Sequence, residues 1–144
     1  MPHEDALRNV DLFSRFANKD LTRLGRAVVE RTYKTGQTIF KEGDQAVALF
    51  IVTSGKVEIS QSVGSKKSQV LATFGPADPF GDMALLDGLP RSATATAVQD
   101  TTCLVLSRWD FVAELQTNPH MAVAMLPVLS HRLRAADAKL AATH

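Results

Sequence analysis

Apolar positions recur at helical spacing at both ends of the chain and in short, turn-broken runs between them. Leu7, Val10, Leu12, Phe13 and Phe16 are the anchors of a short helix or helical turn. Asn18 has the character of an N-cap, and Leu21, Leu24, Ala27 and Val28 then follow at three- and four-residue steps, which predicts a helix to about Arg31. From Thr32 the pattern changes to short segments rich in Val, Ile, Thr and Phe, punctuated by Gly36, Gly43, Gly55, Gly64, Gly75, Gly81 and Gly88. The strands predicted are 30–34, 38–41, 48–53, 56–61, 69–74, 93–98 and 102–107. Many short strands at near-regular spacing point to an antiparallel sandwich or barrel rather than to βαβ units. The polar stretch 62–68 is expected to be a mobile hairpin tip.

Helical signals return at Ser107-Arg108-Trp109-Asp110, a capping-box pattern that opens a helix through about Gln116. Asn118-Pro119 is a second start signal. Leu126, Leu129, Leu133, Ala136 and Leu140 then alternate by three and four, an a/d seam over two heptads. Pro127 lies inside that run and is expected to kink or restart the helix near Ala124.

At 144 residues the chain is expected to be one domain, 1–144, with an N-terminal helical part (10–31), a β-barrel (32–107) and C-terminal helices (108–142). A net charge of +1 gives no basic surface suited to nucleic acid or to an anionic membrane. No basic recognition helix is present, so this chain alone is expected to bind no nucleic acid. The single Cys103 excludes an intrachain disulfide and a thiolate metal cluster. No apolar run approaches a membrane span and the first residues do not form a signal peptide, so the default expectation is a cytoplasmic protein.

The chemistry-bearing stretch is Phe80-Gly81-Asp82-Met83-Ala84-Leu85-Leu86 with Arg91-Ser92-Ala93-Thr94. It places a carboxylate and a guanidinium nine positions apart, around a segment able to turn helical and present free amides. A fork of N–H donors with helix-start amides suits a phosphate, and a carboxylate suits a sugar hydroxyl. Each residue also has a plainer reading: Arg91 as a solvated residue after a turn proline, Asp82 as a helix cap. His3, His120, His131 and His144 lack zinc-site spacing, no nucleophile elbow is present, and Cys103 reads as a core thiol. No catalytic residue, metal or cofactor is expected.

Phe80-Gly81-Asp82-Met83-Ala84-Leu85 and Pro90-Arg91-Ser92-Ala93-Thr94 resemble the phosphate-binding cassette of the cyclic nucleotide-binding domain family. Gly36-Gln37-Thr38-Ile39-Phe40-Lys41-Glu42-Gly43-Asp44 and Phe50-Ile51-Val52-Thr53-Ser54-Gly55-Lys56-Val57-Glu58-Ile59 are similar to its first barrel segments, and the resemblance spans about residues 10 to 142. It implies a mainly β fold with flanking helices: an antiparallel β-roll or jelly-roll barrel, a short helix in the cassette (80–94), an N-terminal helix and a C-terminal lid or dimer helix.

The resemblance also assigns roles. Arg91 would hold the cyclic phosphate, with Ser92 and Ala93 beside it. Asp82, where the family usually has Glu, would accept the ribose 2′-hydroxyl. Gly81, Met83 and Ala84 would act through backbone, the amides of Met83 and Ala84 facing the ligand. Leu133 and Asp137, placed by register from His131-Arg132-Leu133, are the expected base contacts from the lid. The expected ligand is cAMP, with cGMP left open because Ser92 carries a hydroxyl. The expected partners are the cyclic nucleotide and either a second copy through the 126–140 helix or an effector protein. Two alternatives stay open: an effector-domain fragment of a transcription regulator lacking its helix-turn-helix, and a ligand-free interaction or dimerisation domain.

Overall fold

Two four-stranded antiparallel sheets, flanked by helices from both chain ends, make up the computed structural model, which describes residues 2–63 and 67–142. The elements run α1 (Pro2–Arg8), a 3-10 turn (Asp11–Phe13), α2 (Asn18–Ala27), β1 (Val29–Tyr33), β2 (Thr38–Phe40), β3 (Ala48–Ser54), β4 (Val57–Val63), β5 (Lys67–Phe74), β6 (Pro79–Phe80), α3 (Ala84–Asp87), β7 (Thr94–Ala97), β8 (Thr101–Ser107), α4 (Arg108–Thr117) and α5 (His120–Ala142). One sheet has the order β1-β8-β3-β6 and the other β2-β7-β4-β5. This is the mainly β architecture with N- and C-terminal helices that the strand spacing predicts.

Strand β3 shows how the sheets divide the interior. Its first five residues, Ala48 to Val52, are all buried, because both of its faces are covered. Leu49 and Ile51 pack with Leu104 and Leu106 of β8 against a helical core of Leu7, Leu12, Phe13, Leu24, Phe111 and Met121. Ala48, Phe50 and Val52 point the other way, with Cys103, Val57, Phe80 and Ala95, into the barrel. Period-two alternation thus sends one set of side chains to each core. The hairpin joining β3 to β4 requires Gly55: its φ is +94°, and a Cβ there would lie 2.4 Å from Asp100 O.

Several boundaries differ from the sequence expectation. Helix α2 ends at Ala27, not Arg31, because Val29–Tyr33 pairs with β8 from Val29↔Val105 to Tyr33↔Thr101. Its N-cap is Ala17 rather than Asn18, and the Asp20 carboxylate accepts from Ala17 N at 3.2 Å. The first segment begins earlier, as α1, and closes in a 3-10 turn. Strand β6, two residues long, carries no pattern of its own. The Ser107 cap holds as read: its Oγ accepts from Asp110 N at 3.0 Å. Helix α5 passes through Pro127 without a break, held on both sides by buried Met121, Met125 and Val128. The expected hairpin tip lies partly outside the described residues (64–66). Among the described residues no helix is long and apolar enough to cross a membrane.

The helical layer is tied together by a buried carboxylate. Asp20 is 1% exposed, yet it accepts from the Arg23 guanidinium and lies 2.9 Å from His120 Nε2 at the start of α5. Arg23 also reaches Glu114 of α4 at 3.1 Å. Burial pushes the Asp20 carboxyl upward, but the bonds from His120 and Arg23 outweigh it and hold the group below its ordinary range. A depressed acid contributes stability above its unfolded pKa of about 3.9 and loses it as pH falls through the folded value. Asp100 is also held low, by the amide and then the hydroxyl of Thr35. Chemical denaturation should therefore show stability falling below about pH 4. Asp20→Asn should flatten part of that slope and lower stability at neutral pH; an unaltered slope would remove Asp20 from the account.

Candidate functional site

A cavity of about 510 Å³ opens between the barrel and the β6–α3–β7 connection. That volume falls in the range of roughly 300–1,000 Å³ usual for small-molecule sites. All seven cassette residues singled out from sequence line it: Gly81, Asp82, Met83, Ala84, Arg91, Ser92 and Ala93. Phe40, Ile59, Ala72 and Phe74 form its apolar wall. Leu133 and Asp137 are not among the lining residues and are exposed on α5.

Arg91 stands on an aromatic floor. Phe50 and Phe80 stack at 5.2 Å, Phe74 and Phe80 at 5.6 Å, and Phe40 tilts against Phe50 at 5.7 Å. The Arg91 guanidinium carbon lies 4.1 Å from the Phe40 ring centre and 5.8 Å from that of Phe50. Its backbone is pinned on both sides, the amide donating to Asp44 O at 2.7 Å and the carbonyl accepting from Gly43 N at 2.8 Å. Nη2 donates to Ala48 O at 2.6 Å, while the buried Nε has no partner. No carboxylate lies within ion-pair distance of this guanidinium among the described residues. Burial lowers its pKa, opposed only by the more distant charge of Asp44. Arginine stays ionised regardless, so the site holds a desolvated positive charge without a counter-ion.

Gly81 makes room for that charge. Its φ is +81°, and a Cβ there would fall 2.6 Å from Arg91 Nη1. The backbone angle needs glycine, and any side chain there would push the Arg91 guanidinium aside. Beyond it, the Ala84 amide donates to Gly81 O at 3.2 Å and the Leu85 amide to Asp82 O at 3.1 Å. Of the two amides expected to face a ligand, that of Ala84 closes the turn to Gly81 O, while that of Met83, like that of Asp82, has no backbone acceptor among the described residues. The same holds for Ser92 and Ala93, where Gln61 Nε2 steadies the turn by donating to Ser92 O at 2.9 Å.

Asp82 is already occupied. Arg132 of α5 donates from Nη2 to Asp82 Oδ2 at 2.7 Å, from Nε to Asp11 Oδ2 at 3.1 Å, and from Nη1 to Met83 Sδ at 3.3 Å. One guanidinium thus joins the cassette, the N-terminal segment and the C-terminal helix. Its pKa is lowered by burial and raised more by Asp82 and then Asp11. Sequence reading used Arg132 only to set register beside Leu133. Its contacts with Asp82, 50 positions away, and Asp11, 121 away, left no local signal.

Other chemistries find little here. Burial pushes the Cys103 thiol up to about 11, closing off the thiolate. Among the described residues no group of three His, Cys, Asp or Glu could hold a metal ion.

The chain is similar to several known proteins. The cyclic AMP receptor protein of Thermus thermophilus is 42% identical over 110 residues, covering 76% of this chain and 51% of that protein. The cGMP-dependent protein kinase of Toxoplasma gondii is 36% identical over 102 residues, covering 71% of this chain and 10% of the kinase. Among solved structures, the N-terminal domain of a transcriptional regulator from Streptomyces coelicolor A3(2) superposes with a TM-score of 0.84 at 33% identity, covering 92% of this chain and 94% of that one. The chain spans about half the length of the Thermus protein. The family model described as the cyclic nucleotide-binding domain matches residues 30–118, which include the whole cassette and more than half of the chain. The chain belongs to the cyclic nucleotide-binding domain family.

Proposed function

We propose that this domain is a cyclic nucleotide sensor that performs no chemistry, takes cAMP as its ligand and reports occupancy through α5. The observation that carries the reading is the counter-ion-free guanidinium of Arg91, facing a cavity beside unengaged amides. A singly charged cyclic phosphate supplies the missing anion. Its exocyclic oxygens match the fork of Arg91 and the amides of Ser92 and Ala93. The apolar wall of Phe40, Ile59, Ala72 and Phe74 offers the rest of the nucleotide an uncharged surface. The Thermus relative is a cyclic AMP receptor protein, which favours cAMP over cGMP.

Asp82 would accept the ribose 2′-hydroxyl in place of an Arg132 N–H. That exchange would link the ligand to α5, since releasing Asp82 frees one of the three anchors of Arg132. The shift in α5 can be no larger than the ligand's differential affinity for the two arrangements. On the same helix Leu126 and Leu133 are 61% and 65% exposed, one heptad apart, and Val123 is exposed as well. A second copy packing along this seam would cover them, which makes a homodimer the form in which α5 acts.

Calorimetry should find cAMP binding weakened at least ~30-fold by Arg91→Ala, since truncating one side of a buried charge-assisted contact costs about 2 kcal/mol or more. Unchanged binding would end the sensor reading. For the sugar contact, 2′-deoxy-cAMP should bind roughly 10-fold or more weaker than cAMP, the worth of a hydrogen bond to a charged acceptor; equal affinities would deny Asp82 that role. Sedimentation should show a dimer that Leu126→Glu/Leu133→Glu converts to monomer with the fold intact; a monomeric parent chain would refute the seam.

A further inference from the structure

A second cavity, about 390 Å³, lies away from the cassette, between the N-terminal segment and the middle of α5. Asp11, Ser14 and Arg15 line it from one side; Pro127, Val128, Ser130, His131 and Arg134 line it from α5. Positions 127, 130, 131 and 134 fall at three- and four-residue steps, so α5 offers them on one face. None of these residues lines the first cavity.

The charge balance is one-sided. Arg15 and Arg134 contribute two guanidinium groups, and neither makes an ion pair among the described residues. His131 adds a ring that can donate, and Ser14 and Ser130 add two hydroxyls. The single carboxylate in the lining, Asp11, is taken up by Arg132 Nε at 3.1 Å. Most polar side chains among the lining residues can therefore donate, and the one carboxylate among them is paired with an arginine that does not line the space. Arginines without acids are common on open surfaces, where water and salt screen them. Here the two are themselves exposed, but they come from segments far apart in sequence and line the same space. Paired guanidinium forks with hydroxyl donors are the recognition chemistry of a phosphate-type oxyanion.

We infer that this cavity is a second ligand site, for a small phosphate-bearing anion. It is separate from the cyclic nucleotide cavity and is built by Arg15, Arg134, His131 and the two serines. Arg132 lies between the two sites, bonded to Asp11 in the lining of one and to Asp82 in the lining of the other.

The test uses inorganic pyrophosphate as the probe, titrated calorimetrically into the full chain at constant ionic strength. The parent protein should bind one equivalent saturably. Arg15→Ala/Arg134→Ala should weaken that binding at least ~10-fold, as expected when charge-assisted contacts are lost. Arg91→Ala should leave it unchanged, which separates this site from the cassette whatever becomes of the cAMP reading. Arg134→Lys, which keeps the charge and loses the fork, should fall between parent and double variant. Matching melting temperatures would show that the variants remain folded. Three results overturn the inference: no saturable binding at millimolar probe, equal binding by the double variant, or loss of binding in Arg91→Ala, which would place the probe in the first cavity.

Discussion

The site is organised by the need to hold the Arg91 guanidinium partly out of bulk water with no acid beside it. Such a charge is costly to bury, and the protein offsets the cost only in part. One N–H goes to Ala48 O, the face rests on Phe40, and Nε is left unsatisfied. An aromatic floor attracts a cation through its ring quadrupole without neutralising it. A carboxylate in the same place would stabilise the apo domain better and would compete with any incoming phosphate. The arrangement keeps the charge available.

Other features follow from that constraint. Gly81 has no side chain because Arg91 Nη1 occupies the space where one would begin. Phe50 and Phe80 come together through the pairing of β3 with β6, at Phe50↔Phe80, so the short strand β6 serves chiefly to build the floor. The split of β3 into two faces then ties the site to the helices. Phe50 lies under the cavity while its neighbours Leu49 and Ile51 pack on the core that α2, α4 and α5 share.

Much of this was legible in the chain itself, and what was not has a physical cause. The cassette could be read because its residues are close in sequence: Gly81, Asp82 and Arg91 come to one cavity within one turn-helix-turn unit. Most strands could be read because β-branched runs between glycines carry a local signal. The end of α2 could not, since Ala27 and Val28 continue the helical spacing and only pairing with β8 draws Val29 into a sheet. Strand β6 exists only through its partner. Arg132 was invisible as a site residue because its meaning lies in two distant carboxylates. The base contacts expected at Leu133 and Asp137 were placed by register along α5, and register fixes a residue's position on the helix without fixing the distance from helix to cavity.

The Arg132 clasp bears on how much signal such a site could carry. Arg132 is 31% exposed and Asp82 25%, so their ion pair is partly screened by water. Pairs in that setting are worth little, about 0–1 kcal/mol at the surface and more only when desolvated. A sugar hydroxyl donating to a carboxylate gains about 1.5–3 kcal/mol, so exchanging the pair for it favours the ligand by a modest margin. A modest clasp suits such a link: one worth several kcal/mol would oppose the sugar contact outright, and one worth nothing would leave α5 indifferent to it. The two remaining bonds of Arg132, to Asp11 and Met83, would keep the helix attached if the third were traded. The phosphate contact at Arg91 would then set how tightly ligand binds, and the clasp at Asp82 how much of that binding reaches the helix.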